Sequence, residues 1–407
     1  MRSKSPVSAR RHLDAAADEG ILAEEHATQE GHVGYRKYGE TEYERLKKQH
    51  NIMALVGNGF DIQIMHDFAQ PSDTRYETFY HYLKFRSFDE ENVIVKQMEA
   101  LLEAGKKNWS DLEGAIREVL TNGGSAPDDV YNALRPIQRE FSSFLNQTVP
   151  STLLDDLGAR VVKEERSLAS LSQFIYDIED PEEYSKFEFP RRTAHFDLYN
   201  FLFVNFNYTS LLDGYVYLDQ NQFDPRPYRT SDRNFEFLPN PRDHAATRRY
   251  NKETIWQSNI QTEVIHPHGV QDIPRSLLIG IDAEPDFDNA TDPNRKLVKP
   301  YWAQNDVRYR HFFEDTELFI VFGCSLGESD GWWWRSIAAA LDANPDAELM
   351  IYRRQRSQGA ELSEEDVRDQ FISAADCAPA QAGSIRDRIR IVLYEEGSDR
   401  KWLNTSP

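Results

Sequence analysis

Cysteine is nearly missing from these 407 residues, with only Cys324 and Cys377 present. Two cysteines supply neither a disulfide framework nor a four-cysteine zinc site, so reduced thiols in a cytosol are expected. Long apolar runs are missing as well. A stretch such as Leu318 to Phe322 falls far short of the roughly 20 residues a membrane helix needs, and no membrane segment is expected. At the start, Arg2, Lys4, Arg10 and Arg11 run into acidic, Ala-rich sequence where a secretory signal would be apolar, which points to a cytoplasmic protein. Positive charge is in deficit. The 47 Lys+Arg against 68 Asp+Glu give a formal net charge of -21, which disfavours unspecific binding to a phosphate backbone.

What remains is an ordinary globular composition, 40% hydrophobic and 28% charged, long enough to bury a substantial core. Residues 1–50 have no sustained apolar period and are expected to form a flexible polar extension, with residues 51–407 as one α/β domain. Ile52 to Val56 then empties abruptly into Gly57-Asn58-Gly59, the pattern of a buried parallel strand ending in a tight loop. A helical block of about 74–190 follows. In it Ile94, Met98, Leu101 and Leu102 share one face, and Val130, Leu134, Ile137, Phe141 and Phe144 keep the helical period across a kink expected at Pro136. Strand candidates return at Tyr199 to Val204, Glu263 to Ile265, Leu277 to Ile281, Leu318 to Phe322, Leu349 to Tyr352 and Ile389 to Tyr394, with a helix over Trp332 to Leu341. Strand and helix alternate toward the end of the chain, so the fold reads as an α/β parallel sheet of nucleotide-binding type with a large helical insertion after its first strand. Residues 213–260 read as an irregular cap. Their six arginines from Arg226 to Arg249, interleaved with Phe223, Tyr228, Phe235 and Phe237, suit a solvated cover better than a single-strand nucleic-acid surface.

Chemistry concentrates where strands end. In open parallel sheets the ligand crevice lies beyond the carboxyl ends of the strands. Gly57-Asn58-Gly59-Phe60-Asp61 can bring backbone N–H groups and a helix N-terminus to a phosphate, or it can be a plain turn with a capping Asp61. Trp109-Ser110-Asp111-Leu112-Glu113 has capping-box spacing between Ser110 and Glu113, and its acidic pair could instead meet ribose hydroxyls. Asn205 to Thr209 and His266-Pro267-His268-Gly269 close two further strands. His268 has its ring unobstructed by the following Gly269 and offers a base that titrates near neutral pH. Two histidines two apart invite zinc, but no third ligand is evident and no metal is assigned. Gly323-Cys324-Ser325-Leu326-Gly327 matches the nucleophile elbow of α/β hydrolases, yet the catalytic His of those enzymes follows the Ser, and the last histidine here is His311; chain order excludes that reading. The loop still suits a ribose or phosphate through its N–H groups and Ser325, with Asp330 as a hydroxyl partner.

Taken in order, G-N-G-F-D, T-x-Y-x-x-F-x-x-Y-L at Thr74 to Leu83, W-S-D-L-E, F-N-Y-T, H-x-H-G and F-G-x-S-L-G-x-x-D resemble the phage abortive infection family AbiH over about Met53 to Asp330. More distantly the same order is similar to sirtuin-like domains of the Rossmann-like class. That likeness implies Gly57 and Gly59 as a phosphate loop with Asn58, Phe60 and Asp61 beside them, Asn207 and His268 as catalytic asparagine and histidine, and Gly323 with Ser325 as a nucleotide-binding loop. It also implies an effector that binds NAD or a related nucleotide and hydrolyses its N-glycosidic bond, with a phage-encoded trigger and a homo-oligomer as expected partners. The alternative is a non-catalytic nucleotide-binding sensor or assembly module. Two departures bear on this: Thr209 stands where such proteins commonly carry Asp, and the four zinc cysteines of protein deacylases are absent, which excludes lysine deacylation.

Overall fold

The computed structural model describes residues 34–122, 125–218, 231–239, 255–282, 293–355 and 362–406. Contacts divide the chain into a unit ending at Lys37 and a body from Tyr38 to Pro407. Most of the expected extension and most of the arginine-rich cap lie outside the described residues. Residue 50, where the sequence placed the end of the extension, falls inside the first strand, and Tyr43 is already buried with its hydroxyl donating to Gln261.

The body is a mixed α/β structure around one seven-stranded sheet. Its strands are β1 Gln49–Val56, β2 Leu198–Asn205, β3 Ser231–Phe237, β4 Trp256–Ile265, β5 Leu318–Phe322, β6 Glu348–Arg354 and β7 Ile389–Tyr394, in spatial order β3-β4-β2-β1-β5-β6-β7. All neighbours are parallel except the edge strand β3, which runs antiparallel to β4. β1 sits centrally and every residue from Ile52 to Val56 is buried. Such a strand must be apolar on both faces, which is why Ile52-Met53-Ala54-Leu55-Val56 shows no alternation.

Eight α-helices lie between β1 and β2 among the described residues: α1 Gly59–Asp67, α2 Tyr76–Phe85, α3 Val93–Glu103, α4 Leu112–Asn122, α5 Pro127–Thr148, α6 Ser151–Lys163, α7 Arg166–Gln173 and α8 Pro181–Lys186. Helix α5 runs unbroken through Pro136. The apolar stripes of α2 to α5 pack together around Phe79, Ile116, Ile137 and Phe141, while α1, α6 and α7 cover one face of the sheet. After β2 come α9 Leu211–Val216, then the short helices α10 Lys299–Ala303, α11 Asn305–Arg308 and α12 Arg310–Glu314; α13 Gly331–Ala343, α14 Glu364–Ala374 and α15 Pro379–Ile385 complete the series.

Three sequence expectations need correcting. Leu277 to Ile281 is not a sheet strand. Its Leu277, Ile279 and Ile281 are buried against the helical block, with a lone bridge between Ile281 and Val298; an apolar run reports burial, not pairing. β4 begins at Trp256, well before Glu263, because its polar residues alternate on a half-exposed strand and hide the run. The described part of the cap region holds a helix and two strands, with β3 an edge strand the sequence did not reveal.

Candidate functional site

The chain leaves β1 for β2 on one side of the sheet and places β5 on the other, so the direction of winding reverses between β1 and β5. That is where ligands sit in open α/β sheets. The loop after β1 and the loop after β5 meet there in direct backbone contact. Gly59 N–H donates to Gly323 O at 2.9 Å and Gly57 N–H to Phe322 O at 2.9 Å. A Cβ on Gly57 would sit 2.8 Å from Gly323 O, and one on Gly59 would sit 2.6 Å from Gly323 Cα. Gly323 itself has φ +68. These glycines are therefore required by loop-to-loop packing, and in this arrangement their N–H groups, which a phosphate would use, are already bonded to Phe322 O and Gly323 O.

Around this seam lie two buried polar clusters. In the first, Asp61 in the opening turn of α1 is 1% exposed and accepts from Asn207 Nδ2 at 2.9 Å and Thr209 Oγ1 at 2.7 Å. Asn207 Nδ2 also donates to Gly57 O at 3.2 Å. Burial pushes the Asp61 carboxyl up to about 7, against the pull of the two hydrogen bonds, with the Asp213 charge adding to the rise. Asp61 is thus not an N-terminal cap; it joins the loops after β1 and β2. Asn58 is tied to Thr74 through both ends of its amide, and Phe60 is a core residue against Tyr215 and Phe322. That burial removes Phe60 from any direct ligand contact.

The second cluster is centred on Lys299, 3% exposed, which donates to Glu113 Oε2 at 2.9 Å and Asp330 Oδ1 at 3.1 Å. His268 Nε2 stands 3.5 Å from Asp330 Oδ1, and its ring stacks on Phe206. Burial and the neighbouring Lys299 cation push His268 down to about 3, so it is neutral at physiological pH. Burial pushes Glu113 up to about 7, only partly offset by Lys299. Asp330 is held below the usual carboxylate range although burial opposes this, because Lys299 and His268 face it. One ammonium between two carboxylates leaves a surplus negative charge in a dry site, and Glu113 is the group that takes the proton as pH falls through neutral. Glu113 faces inward and is not part of a capping box. At the start of α4 the side chain of Asp111 accepts from Gly114 N–H.

His266 turns away from this cluster, its Nε2 3.0 Å from Asp213 Oδ1. Gly269 has φ +88, the turn that lets the chain double back against Ser276. Ser325 is exposed beside Leu326, which holds a positive φ of 54. The sequence motifs after β1, β2, β4 and β5 are thus brought together by contact: Gly57 with Gly323 and Asn207, Phe206 with His268, His268 with Asp330. Asn207 and His268 belong to separate clusters and share no hydrogen bond. Sequence reasoning missed Lys299. A lysine inside the apolar segment Leu297-Val298-Lys299-Pro300-Tyr301-Trp302 is the signal that could have found it.

Comparison with protein families gives a decisive match. The family model Bacteriophage abortive infection AbiH matches residues 53–352. The chain belongs to the AbiH family. The matched span runs from β1 into β6 and holds every residue of both clusters, and AbiH membership points to a role in phage abortive infection. A search of curated proteins finds no match. Among the described residues of this AbiH chain, no helix is long and apolar enough to cross a membrane.

Proposed function

We propose that the chain is an abortive-infection effector that binds NAD or a related nucleotide at the strand ends and hydrolyses its N-glycosidic bond once that region opens. The observation that supports this reading best is the gathering of four polar loop segments at the β1/β5 reversal, which is also where the likeness to sirtuin-like domains would place the nucleotide. Hydrolysis of that bond passes through an oxocarbenium-like centre: the base departs with the bonding pair while water forms the new bond to the anomeric carbon and gives up one proton to solvent. Asn207 would orient the water, and neutral His268 would accept a hydrogen bond from a ribose hydroxyl. Both are shut in the present arrangement, at 4% and 5% exposure, as suits an effector that must stay inactive until infection.

A second reading, a non-catalytic nucleotide sensor, is favoured by one observation. A histidine pushed down to about 3 is a weak base at cellular pH. The two readings separate when purified protein is incubated with NAD, ATP and related nucleotides, with and without phage lysate, while nucleotide loss is followed. The catalytic reading expects lysate-dependent loss of one nucleotide, abolished by His268→Ala and by Asn207→Ala, with phage protection lost in parallel and folding retained. Full protection by both variants overturns it. Binding without turnover selects the sensor.

A further inference from the structure

The side-chain amide of Asn207 is held in one orientation. Both of its amide protons are committed, one to Gly57 O at 3.2 Å and the other to Asp61 Oδ1 at 2.9 Å. A carbonyl and a carboxylate are acceptors, so the amide can present only its nitrogen to them. The frame around it is equally closed. Asn207 N–H donates to Asn205 Oδ1 at 3.0 Å, Asn205 Nδ2 donates to Thr209 O at 3.3 Å, and Thr209 Oγ1 donates to the second oxygen of Asp61 at 2.7 Å. Asp61, Asn205, Asn207 and Thr209 are all buried. Among the described residues Asn207 Oδ1 accepts no hydrogen bond, yet it is not one of the sealed, unpaired side-chain atoms of the interior. That oxygen is the one polar atom the side chain has left for a ligand, and it can only accept.

We propose that Asp61 is a positioning residue: by holding Nδ2 it fixes Asn207 as a hydrogen-bond acceptor, so that the carbonyl alone meets the attacking water. The inference rests on the hydrolytic reading above and names what equips Asn207 for its part in it. A water that donates one O–H to the carbonyl keeps a lone pair for the anomeric carbon, whereas a flipped amide would donate N–H to the water oxygen and occupy that pair. Gly57 O holds one amide proton through a neutral bond, and a carboxylate on the other adds the stronger, charge-assisted bond. Asp61 touches neither water nor ribose in this role and acts only through Asn207.

The test compares Asp61→Ala with Asp61→Asn in the full chain. Ala leaves the amide one partner short, whereas Asn offers an oxygen to Asn207 Nδ2 and a donor to Thr209. In lysate-triggered NAD consumption, Asp61→Ala should lower kcat by about tenfold or more while KM stays within about twofold, and Asp61→Asn should restore most of the rate. A purely structural Asp61 would lower the active fraction with stability and would show no rescue at equal Tm. Selective nitrogen-15 labelling of asparagine reads the amide without turnover, with Asn207→Asp assigning its resonances. Both Nδ2 protons should be protected from exchange in wild type and in Asp61→Asn, and lose protection in Asp61→Ala. Rapid exchange in wild type overturns the fixed amide. Nucleotide consumption that Asp61→Ala leaves untouched overturns the positioning role and leaves the proposed function standing. A protected amide that Asp61→Ala frees, in a chain that consumes no nucleotide, keeps Asn207 as a fixed acceptor and removes the hydrolysis.

Discussion

Replacing Asp61 by Asn should make the protein more stable at alkaline pH and nearly neutral in effect at acid pH. In the folded chain the Asp61 carboxyl is pushed up to about 7 from an ordinary 3.8 by complete burial. A carboxyl whose folded pKa is raised supports folding most below its unfolded pKa, and that support is lost as pH rises through the folded value. The difference of about three pKa units corresponds to about 4 kcal/mol lost between pH 4 and pH 8. Asn cannot ionise. Its Oδ1 can still accept from Asn207 Nδ2, and its Nδ2 can donate to Thr209 once that hydroxyl rotates, so both contacts survive. At roughly 2 cal/mol/K per residue, a chain of this length gains about 5 °C in Tm from 4 kcal/mol. Thermal melts of wild type and Asp61→Asn from pH 5 to 8.5 should show a difference that grows with pH. Subtracting the curves cancels the other buried carboxyls, Glu113 and Asp177, whose pKa values are also raised. A flat difference across that range would refute the argument and mean that Asp61 is ionised throughout or is not buried.

Lys299→Met should cost about 3–5 kcal/mol, because it strands Glu113 and Asp330 without their cation; adding Glu113→Gln should recover part of that loss in denaturant titrations, and no recovery would argue against the shared ion pair. Gly59→Ala should destabilise by about 1–3 kcal/mol, since backbone faces the new methyl and cannot step aside, whereas Gly158→Ala, in α6 with nothing within 4 Å, should stabilise by about 0.5–1 kcal/mol. Equal Tm shifts for the two would show that the loop seam is loose. His50 is bound by Asp197 at 3.0 Å and Glu317 at 2.8 Å, which raise its pKa although burial opposes this. Its contribution is complete below pH 6.5 and fades as pH rises through the folded value, so His50→Gln should flatten the alkaline fall in Tm; an unaltered alkaline arm would show that the imidazole never gains its proton.

The strands that could be read directly are the ones buried on both faces. β5 has the bounds its apolar run gives, because a central parallel strand leaves no position for a polar residue; β7 keeps its bounds at the sheet edge even with Arg390 buried within it. β4 was legible only at Glu263 to Ile265, since Gln257, Gln261 and Glu263 alternate outward, and β3 pairs at an edge where composition carries little signal. At the site, motif position was legible and side-chain partnership was not. The placement of Gly57, Asn207, His268 and Ser325 after strands could be read from the chain. That Asn207 would be bound to Asp61, and that Glu113 would reach Lys299 while Asp111 capped α4, depends on tertiary contacts between segments far apart in sequence. The glycines left two readings open for a physical reason: close approach to a ligand and close approach to another loop demand the same missing Cβ.

Helix α4 carries Glu113, anchored to Lys299, and one turn later Arg117, paired with Glu328 in the loop after β5. Two anchors on consecutive turns bind the helical block to the carboxyl end of the sheet as one cooperative folding unit. Amide exchange along α4 should therefore track that of the loop after β5, and both should accelerate together when Arg117→Ala and Glu113→Gln are combined. Charge reversal at residues 117 and 328 should be tolerated jointly and penalised singly, so natural variation at these two positions is expected to travel in pairs even though 211 residues separate them along the chain.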